Sequence, residues 1–94
     1  MIHSSDSDFL ILLGNRIKTL RKEKAVSQRE LAYKIGMEKS NLSVIENGKS
    51  NPQILTLLKI AAALEVKPNV LFDFDFNINQ FLEHPETYTP RKHI

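Results

Sequence analysis

Residues 28–47 read QRELAYKIGMEKSNLSVIEN, and this segment defines the architecture of the chain more sharply than any other. Ser27 precedes it as an N-cap, with Glu30 three residues later, which is the spacing of a capping box. Gly36 is predicted to end the first helix, because glycine adopts a left-handed backbone without steric cost. A second short helix is predicted over residues 39–47. The segment therefore predicts two short helices joined by a tight turn.

Two such helices can pack at a steep angle only when particular residue types meet at the turn. A small residue is needed where the helix axes approach, and Ala32 stands there. A residue that tolerates positive φ is needed in the turn, and Gly36 stands there. The positions that must fill the angle between the helices are all apolar: Leu31, Ile35, Met37, Leu42 and Ile45. All seven residues fit a helix-turn-helix.

Apolar periodicity extends the helical pattern on both sides of this motif. Ser7 is predicted to cap a helix over residues 8–23, which carries one apolar stripe. A fourth helix is predicted over 53–64, and a final short helix over 68–72, where proline is suited to the first position. The prediction is an all-α domain of five helices over residues 8–72.

The two ends of the chain depart from this pattern. Residues 1–7 are polar and aperiodic, so a flexible N-terminus is expected. Apolar and polar residues alternate over 72–79, which is typical of a half-buried strand. Because an isolated strand is rarely stable, this segment either pairs as a short β-strand with a second chain or lies across the helices without strand structure. The C-terminal extension, 73–94, is expected to be dimerising or partly disordered. Disorder is expected above all after Leu82.

Composition limits the class of protein. A chain of 94 residues, 41% hydrophobic and 26% charged, is enough for one globular domain. The longest apolar runs have five residues, against roughly 20 for a membrane span and at least about 7 for a signal peptide. A cytoplasmic protein that does not bind membranes is therefore expected. The absence of cysteine excludes disulfides and thiolate chemistry.

The net charge of +2 conceals an uneven distribution. Residues 15–51 hold nine Lys or Arg against four Glu, whereas residues 52–90 hold two Lys against five acidic residues. This asymmetry indicates one face that attracts a polyanion and another that avoids it. Enzymatic chemistry is not indicated, because the three histidines lie in terminal segments without a paired carboxylate or nucleophile. We expect no catalytic residue, no metal site and no cofactor.

The sequence resembles the Cro and lambda-repressor-like (XRE-type) DNA-binding domains over residues 13–72. The segments that carry the resemblance are SQRELA at 27–32, LSVIENGK at 42–49 and LLKIAAALEV at 57–66. One departure is Ala25, where the family often has a glycine that ends the first helix. An alanine there either accepts a left-handed backbone at a steric cost or leaves the helix by another route.

Helical geometry and the resemblance together indicate the residues that meet DNA. On a helical wheel, the face opposite Leu42 and Ile45 is short and polar, as a helix entering a major groove requires. The resemblance implies base contacts from Lys39, Ser40, Ser43 and Val44. Lys39 is suited to donate to guanine, and Val44 to contact a thymine methyl group.

Contacts to the DNA backbone are expected on either side of these residues. Gln28 lies at a helix N-terminus, where an amide side chain stands beside free backbone N–H groups. The resemblance implies a second backbone contact from Asn47, Lys49 and Ser50, and Arg29 is a candidate through its charge alone.

The resemblance also implies an ion pair between Arg21 and Glu46. An acidic residue so close to the buried side of a helix needs a partner, and we expect the pair to set the angle of the recognition helix.

These features predict a sequence-specific binder of double-stranded DNA that regulates transcription, and on family grounds a repressor. One short helix reads only about four or five base pairs, so a homodimer on a two-fold site is expected. Dimer contacts would come from the terminal segments, from the fifth helix, or from both. Two alternatives stay open: an antitoxin whose tail, 73–94, binds a toxin as protein partner, and a controller protein of a restriction–modification system.

Overall fold

A computed structural model describes residues 4–84 and Glu86 of the chain. This part consists of four α-helices followed by two short 3-10 helices. Their bounds are Ser4–Glu23 (α1), Gln28–Lys34 (α2), Lys39–Glu46 (α3), Ile54–Ala63 (α4), Pro68–Phe72 and Ile78–Phe81. The predicted all-α class is confirmed. No helix within these residues combines the length and the hydropathy that a membrane span requires.

The core lies between α1, the α2–α3 pair and α4. Every one of these helices, and the first 3-10 helix, contributes to a set of side chains that are at most 1% exposed: Ile17, Leu31, Leu42, Ile60, Leu64 and Leu71. Burial of such a side chain stabilises the fold by roughly 1.5–3 kcal/mol. Helices of seven and eight residues, such as α2 and α3, are too short to be stable alone, so this shared core keeps them helical.

Each of the four α-helices ends in a Schellman motif, in which an amide bonds back to a carbonyl five residues earlier. The four bonds measure 2.9 to 3.0 Å and run from Val26 to Arg21, from Met37 to Ala32, from Lys49 to Val44 and from Val66 to Ala61. Glycine occupies the left-handed position after α2 and α3, with φ of +68° at Gly36 and +71° at Gly48. Ala25 (+56°) and Glu65 (+58°) occupy it after α1 and α4. The chain therefore keeps this helix exit at Ala25 despite the steric cost.

The first helix is longer than predicted. It begins at Ser4 rather than at residue 8, so Ser7 lies within the helix and does not cap it. The reason is tertiary. Ser5 is only 9% exposed, and Asp6 lines a groove together with Phe81 of the C-terminal extension. This first turn thus has packing partners that the local sequence does not reveal.

The predicted fifth helix forms as a 3-10 helix, Pro68–Phe72, so the count of five α-helices is wrong by one. Its Lys67 carbonyl accepts a bond from the Val70 amide at 2.9 Å. Five residues form a short connector, the setting in which 3-10 geometry is common. Leu71 still enters the core fully buried, as helical packing there requires.

The β-strand considered over residues 72–79 is not formed, and no strand occurs between residues 4 and 84. The segment instead lies across α1 without strand structure, which is the second of the two arrangements expected from the sequence. Its phenylalanine rings and that of Phe81 surround Phe9, with centroids 5.3 Å away for Phe74 and Phe76, 5.7 Å for Phe81 and 6.3 Å for Phe72. Residues 85 and 87–94, part of the predicted disordered or dimerising extension, lie outside the described residues, as do residues 1–3.

Arg16 attaches the beginning of the extension to α1. Its Nε donates to the Val70 carbonyl at 2.9 Å, and its Nη2 lies 3.9 Å from Oδ2 of Asp73. Because the Asp73 side chain is 84% exposed, the ion pair is screened by solvent and the hydrogen bond is the stronger contact.

Replacing Ala25 with glycine is expected to raise the free energy of unfolding by about 0.5–1 kcal/mol, because glycine removes the steric cost of the left-handed backbone. The matched control is Gly36→Ala, where an added Cβ would meet no atom within 4 Å. It should lower the free energy of unfolding by about 1–2 kcal/mol through backbone strain alone. Urea unfolding followed by circular dichroism measures both, and a destabilised Ala25→Gly variant would contradict the assignment.

Candidate nucleic-acid interface

The turn between α2 and α3 is built from local sequence signals. Ser27 Oγ accepts a bond from the Glu30 amide at 3.0 Å, and a Glu30 carboxylate oxygen accepts one from the Ser27 amide at 3.1 Å. This capping box confirms the prediction, and the bond that the Glu30 carboxylate accepts from the Ser27 backbone amide lowers the pKa of Glu30 below its ordinary value. At the other end of α2, the Gly36 amide bonds to the Tyr33 carbonyl at 3.2 Å. The chain can then enter α3 a few residues later.

The outward face of α3 carries the residues predicted to contact bases. Lys39 and Ser40 are exposed in its first turn, Val44 is 40% exposed, and Ser43 is half-buried. The opposite face packs Leu42 and Ile45 into the core. The structure therefore brings the four predicted residues together on one surface whose side chains are short, apart from Lys39.

The residues predicted to contact phosphates flank that surface at the ends of α2 and α3. Asn47, Lys49 and Ser50 follow α3 directly, and Asn47 Nδ2 donates to Ser43 Oγ at 3.4 Å. Arg29 is exposed in the first turn of α2. Gln28 is half-buried, and its Nε2 donates to Oε1 of Glu46 at 3.1 Å. One N–H of this amide is thus engaged inside the protein, and its second N–H is the one that a phosphate could use.

The carboxylate of Glu46 is the centre of a buried polar network. Arg21 donates to it twice, from Nε to Oε2 at 2.7 Å and from Nη2 to Oε1 at 3.0 Å. Nη1 of Arg21 donates further to the Val26 carbonyl at 3.0 Å. Glu46 is 1% exposed, and its hydrogen bond raises the pKa of Arg21 above its ordinary value. The structure therefore joins the two residues of the predicted ion pair, with geometry that is bidentate and specific.

Sequence reasoning missed two features of this network and its surroundings. The first is that Gln28 contacts Glu46. The second is Gly14, which is buried in α1 and would, with a Cβ, approach the Glu46 and Ile45 carbonyl oxygens to 2.5 and 2.6 Å. Gly48 likewise contacts the backbone of α1, since its Cβ would lie 2.6 Å from the Cα of Ile11. A glycine inside a predicted helix is the signal that could have revealed the close approach of α1 to the end of α3.

A family model described as a helix-turn-helix domain matches residues 14–73, which include α2, α3 and α4 in full. The chain belongs to the XRE-type helix-turn-helix family. The match ends where the aromatic extension begins, so the helices that form the candidate interface are shared with the family and the extension after residue 73 is not part of the matched pattern.

Two curated proteins show the range of this family among similar sequences. The transcriptional regulator SinR of Bacillus subtilis is 49% identical over 63 residues, which cover 66% of this chain and 57% of SinR. The control protein C.MunI of a Mycoplasma species is 42% identical over 67 residues, which cover 70% of this chain and 90% of C.MunI. The match therefore spans little more than half of SinR but most of C.MunI.

Solved structures of XRE-type proteins superpose on the same part of the chain. The restriction–modification controller protein C.AhdI from Aeromonas hydrophila gives a TM-score of 0.66 at 36% identity, covering 67% of this chain and 96% of the other. The structure of SinR in complex with DNA gives a TM-score of 0.60 at 50% identity, covering 65% of this chain and 98% of the other.

Replacing Glu46 with glutamine is expected to lower the free energy of unfolding by about 3 kcal/mol. The change removes the counter-charge of Arg21, whose side chain is 11% exposed, and turns one carboxylate oxygen into an N–H donor that faces other donors. The same substitution at Glu38, which is exposed before α3 and makes no side-chain cap bond, is the control and should change stability by less than about 0.5 kcal/mol. Equal stability of the two variants in urea unfolding would show that the buried pair is dispensable.

Proposed function

We propose that this protein is a transcriptional repressor that binds double-stranded DNA sequence-specifically, as a homodimer, in the cytoplasm. The observation that carries the proposal is the way in which α3 is packed, with one face buried and the other exposed. Its inner face is anchored in the core and its last residue, Glu46, is held by Arg21, while Lys39, Ser40, Ser43 and Val44 stand together outside. A helix that is fixed on one side and short and polar on the other suits insertion into a major groove.

Charge supports the orientation on DNA. Two of the four glutamates between residues 15 and 51 are engaged within the protein, Glu46 by Arg21 and Glu30 by the capping box. Of the nine Lys and Arg of the same segment, Arg21 pairs with Glu46 and Arg16 with Asp73, and the other seven are opposed by few free carboxylates. Arg29 in the first turn of α2, Lys39 in the first turn of α3 and Lys49 just after α3 are all exposed. A surface of this kind attracts the phosphate backbone.

The number of base pairs that one α3 can read supports a dimer. An eight-residue helix is about 12 Å long and presents side chains to about four or five base pairs. Two copies on a two-fold site double the information and place the two α3 helices about 34–36 Å apart, one helical turn of DNA. SinR, a relative that is 50% identical, has been solved in complex with DNA, which supports DNA binding by this chain as well.

A second candidate is the controller protein of a restriction–modification system. The observation that favours it is similarity to two proteins of this kind, at 42% identity to the control protein C.MunI and 36% identity to the restriction–modification controller C.AhdI. The DNA chemistry is the same in both candidates. They differ in the genes that are regulated, so the operator that the protein selects distinguishes them.

The antitoxin alternative depends on the alternating phenylalanines of the extension. The structure turns Phe74 and Phe76, both half-buried, toward Phe9 of the same chain, at 5.3 Å between ring centroids. These rings are engaged within the monomer, and no contact among residues 4–84 favours a toxin as the partner of the extension. The observations therefore favour the other two candidates.

Selection from random DNA duplexes tests the proposed function directly. The expected result is a consensus sequence with two-fold symmetry. The binding constant should also fall steeply with salt, with a slope of log K against log salt concentration of roughly −0.9 for each phosphate neutralised. A duplex with the half-sites separated by an extra half-turn of DNA is the control and should bind much more weakly. Recovery of no consensus, or affinity that is independent of salt, would refute the proposal.

Two lysine variants separate base reading from backbone contact. Lys39→Ala should relax the preference at one base pair of each half-site by about 1–3 kcal/mol, because the residue faces the groove. Lys49→Ala should weaken binding to all DNA sequences equally. It should also reduce the salt dependence of binding by about one in the slope of log K against log salt concentration per protomer. Both changes remove one positive charge from an exposed lysine, so each serves as the control for the other. Identical binding profiles for the two variants would contradict the assigned roles.

A further inference from the structure

Exposed apolar side chains are concentrated in the C-terminal half of the described residues. Ten large hydrophobic residues between residues 4 and 84 are exposed, and seven of them lie on α4 or after it. They are Ile54, Leu55, Leu58, Phe72, Ile78, Phe81 and Leu82, here called the α4–tail patch. Exposed hydrophobic residues scattered singly need no explanation, but a cluster of this kind marks an interaction surface.

Helix α4 contributes a second apolar face to this patch. Its inner face packs Leu57, Ile60 and Ala61 into the core. Ile54 and Leu55 are nevertheless 65% and 63% exposed, and Leu58 follows one turn later at 41%. Apart from Thr56 and Lys59, every residue of α4 is apolar, and Ile54, Leu55 and Leu58 have no covering element among the described residues of the monomer.

The aromatic extension continues the exposed face of α4. Ile54 lines one groove of about 350 Å³ together with Phe72 and Phe81, and the floor of this groove is formed by Phe9 and other residues of α1. The second 3-10 helix then carries Ile78, which is 72% exposed, beside Phe81. This groove therefore connects Ile54 of α4 with Phe72 and Phe81, and the residues after 73 lie beyond the helix-turn-helix pattern shared with the family.

The size of the patch matches the requirement of a stable dimer. The seven residues are 41% to 72% exposed, which amounts to on the order of 700 Å² at roughly 200 Å² for a fully exposed large side chain. A specific interface buries about 800 Å² on each partner, whereas the largest apolar patch on a typical monomer is about 300–600 Å².

We infer that the α4–tail patch is the homodimer interface, in which α4 of one copy packs against the extension of the other. This inference rests on the proposed function, which requires two copies on one DNA site. Charge complementarity selects the α4-to-extension pairing. The charged residue of α4 is Lys59, whereas residues 73–84 carry Asp73, Asp75 and Glu83 and no Lys or Arg. A two-fold axis repeats each such contact, so Lys59 of each copy would lie near the acidic residues in the extension of the other copy.

The position of the patch is compatible with DNA binding by both copies. Ile54 begins α4 directly after the loop that carries Lys49 and Ser50, so the patch starts at the edge of the DNA-facing surface. The acidic charge of the extension keeps this part of the surface away from the phosphates.

Sedimentation equilibrium of the full chain without DNA tests the interface. The wild-type chain is expected to dimerise in the micromolar range or below, and Leu55→Glu and Ile78→Glu should each raise the dimer dissociation constant at least about tenfold. Both residues are more than 60% exposed, so circular dichroism and urea unfolding should show native stability. Thr19→Glu, a similar change at an exposed position of α1, is the control and should leave the dimer intact.

Binding to a full two-fold site and to an isolated half-site separates the interface from the function. The two patch variants should bind the half-site like the wild-type chain and lose their preference for the full site. A monomeric wild-type chain, or dimers that survive both substitutions, would overturn the inference, and sensitivity to Leu55→Glu alone would overturn the α4-to-extension pairing. A dimer that is broken by both substitutions but selects no DNA sequence would support the interface while refuting the proposed function.

Discussion

The buried carboxylate of Glu46 is the contact on which the arrangement of the three N-terminal helices depends. A charge that is 1% exposed is tolerated only when its oxygens are fully hydrogen-bonded, and Arg21 of α1 and Gln28 of α2 supply all three donors observed. Glu46 itself ends α3. One residue therefore ties the end of one helix to the first residue of another and to the last turn of a third. Any rotation of α3 about its axis would break bonds that buried groups cannot replace with water.

Helix α1 acts as the common support for the rest of the molecule. Gly14, near its middle, allows the backbone of α3 to approach closely, because any larger residue would collide with carbonyl oxygens at 2.5–2.6 Å. Phe9, one and a half turns earlier, receives the four aromatic rings of the extension. Arg16, on the same helix, holds the first 3-10 helix through its bond to the Val70 carbonyl. The DNA-facing helix and the extension are thus both positioned by the same rigid element, each through a different kind of contact.

The parts of the fold that were predicted correctly are those that local interactions define. The capping box at Ser27 and Glu30, the left-handed turn at Gly36 and the apolar spacing of α2 and α3 all act within a few residues. The parts that were predicted wrongly depend on distant partners. In the first turn of α1, Ser5 is buried and Asp6 lines a groove with Phe81 of the extension. The alternation over residues 72–79 indicates burial of one side of the segment but does not specify a strand. A helix face, here around Phe9, satisfies that burial as well as a sheet does.

The amino-acid sequence by itself determined the helix-turn-helix, the face of α3 that points outward and the separation of basic and acidic halves, because periodicity, capping and charge are properties of the linear chain. The tertiary structure decided which surfaces remain uncovered. The role of Gln28 beside Glu46, the close approach at Gly14 and the exposed outer face of α4 each arise from residues that are distant in sequence and adjacent in space. The physical reason is that burial depends on contacts between elements. The sequence of a helix shows which of its faces are apolar, but the packing of neighbouring elements decides which of those faces are covered.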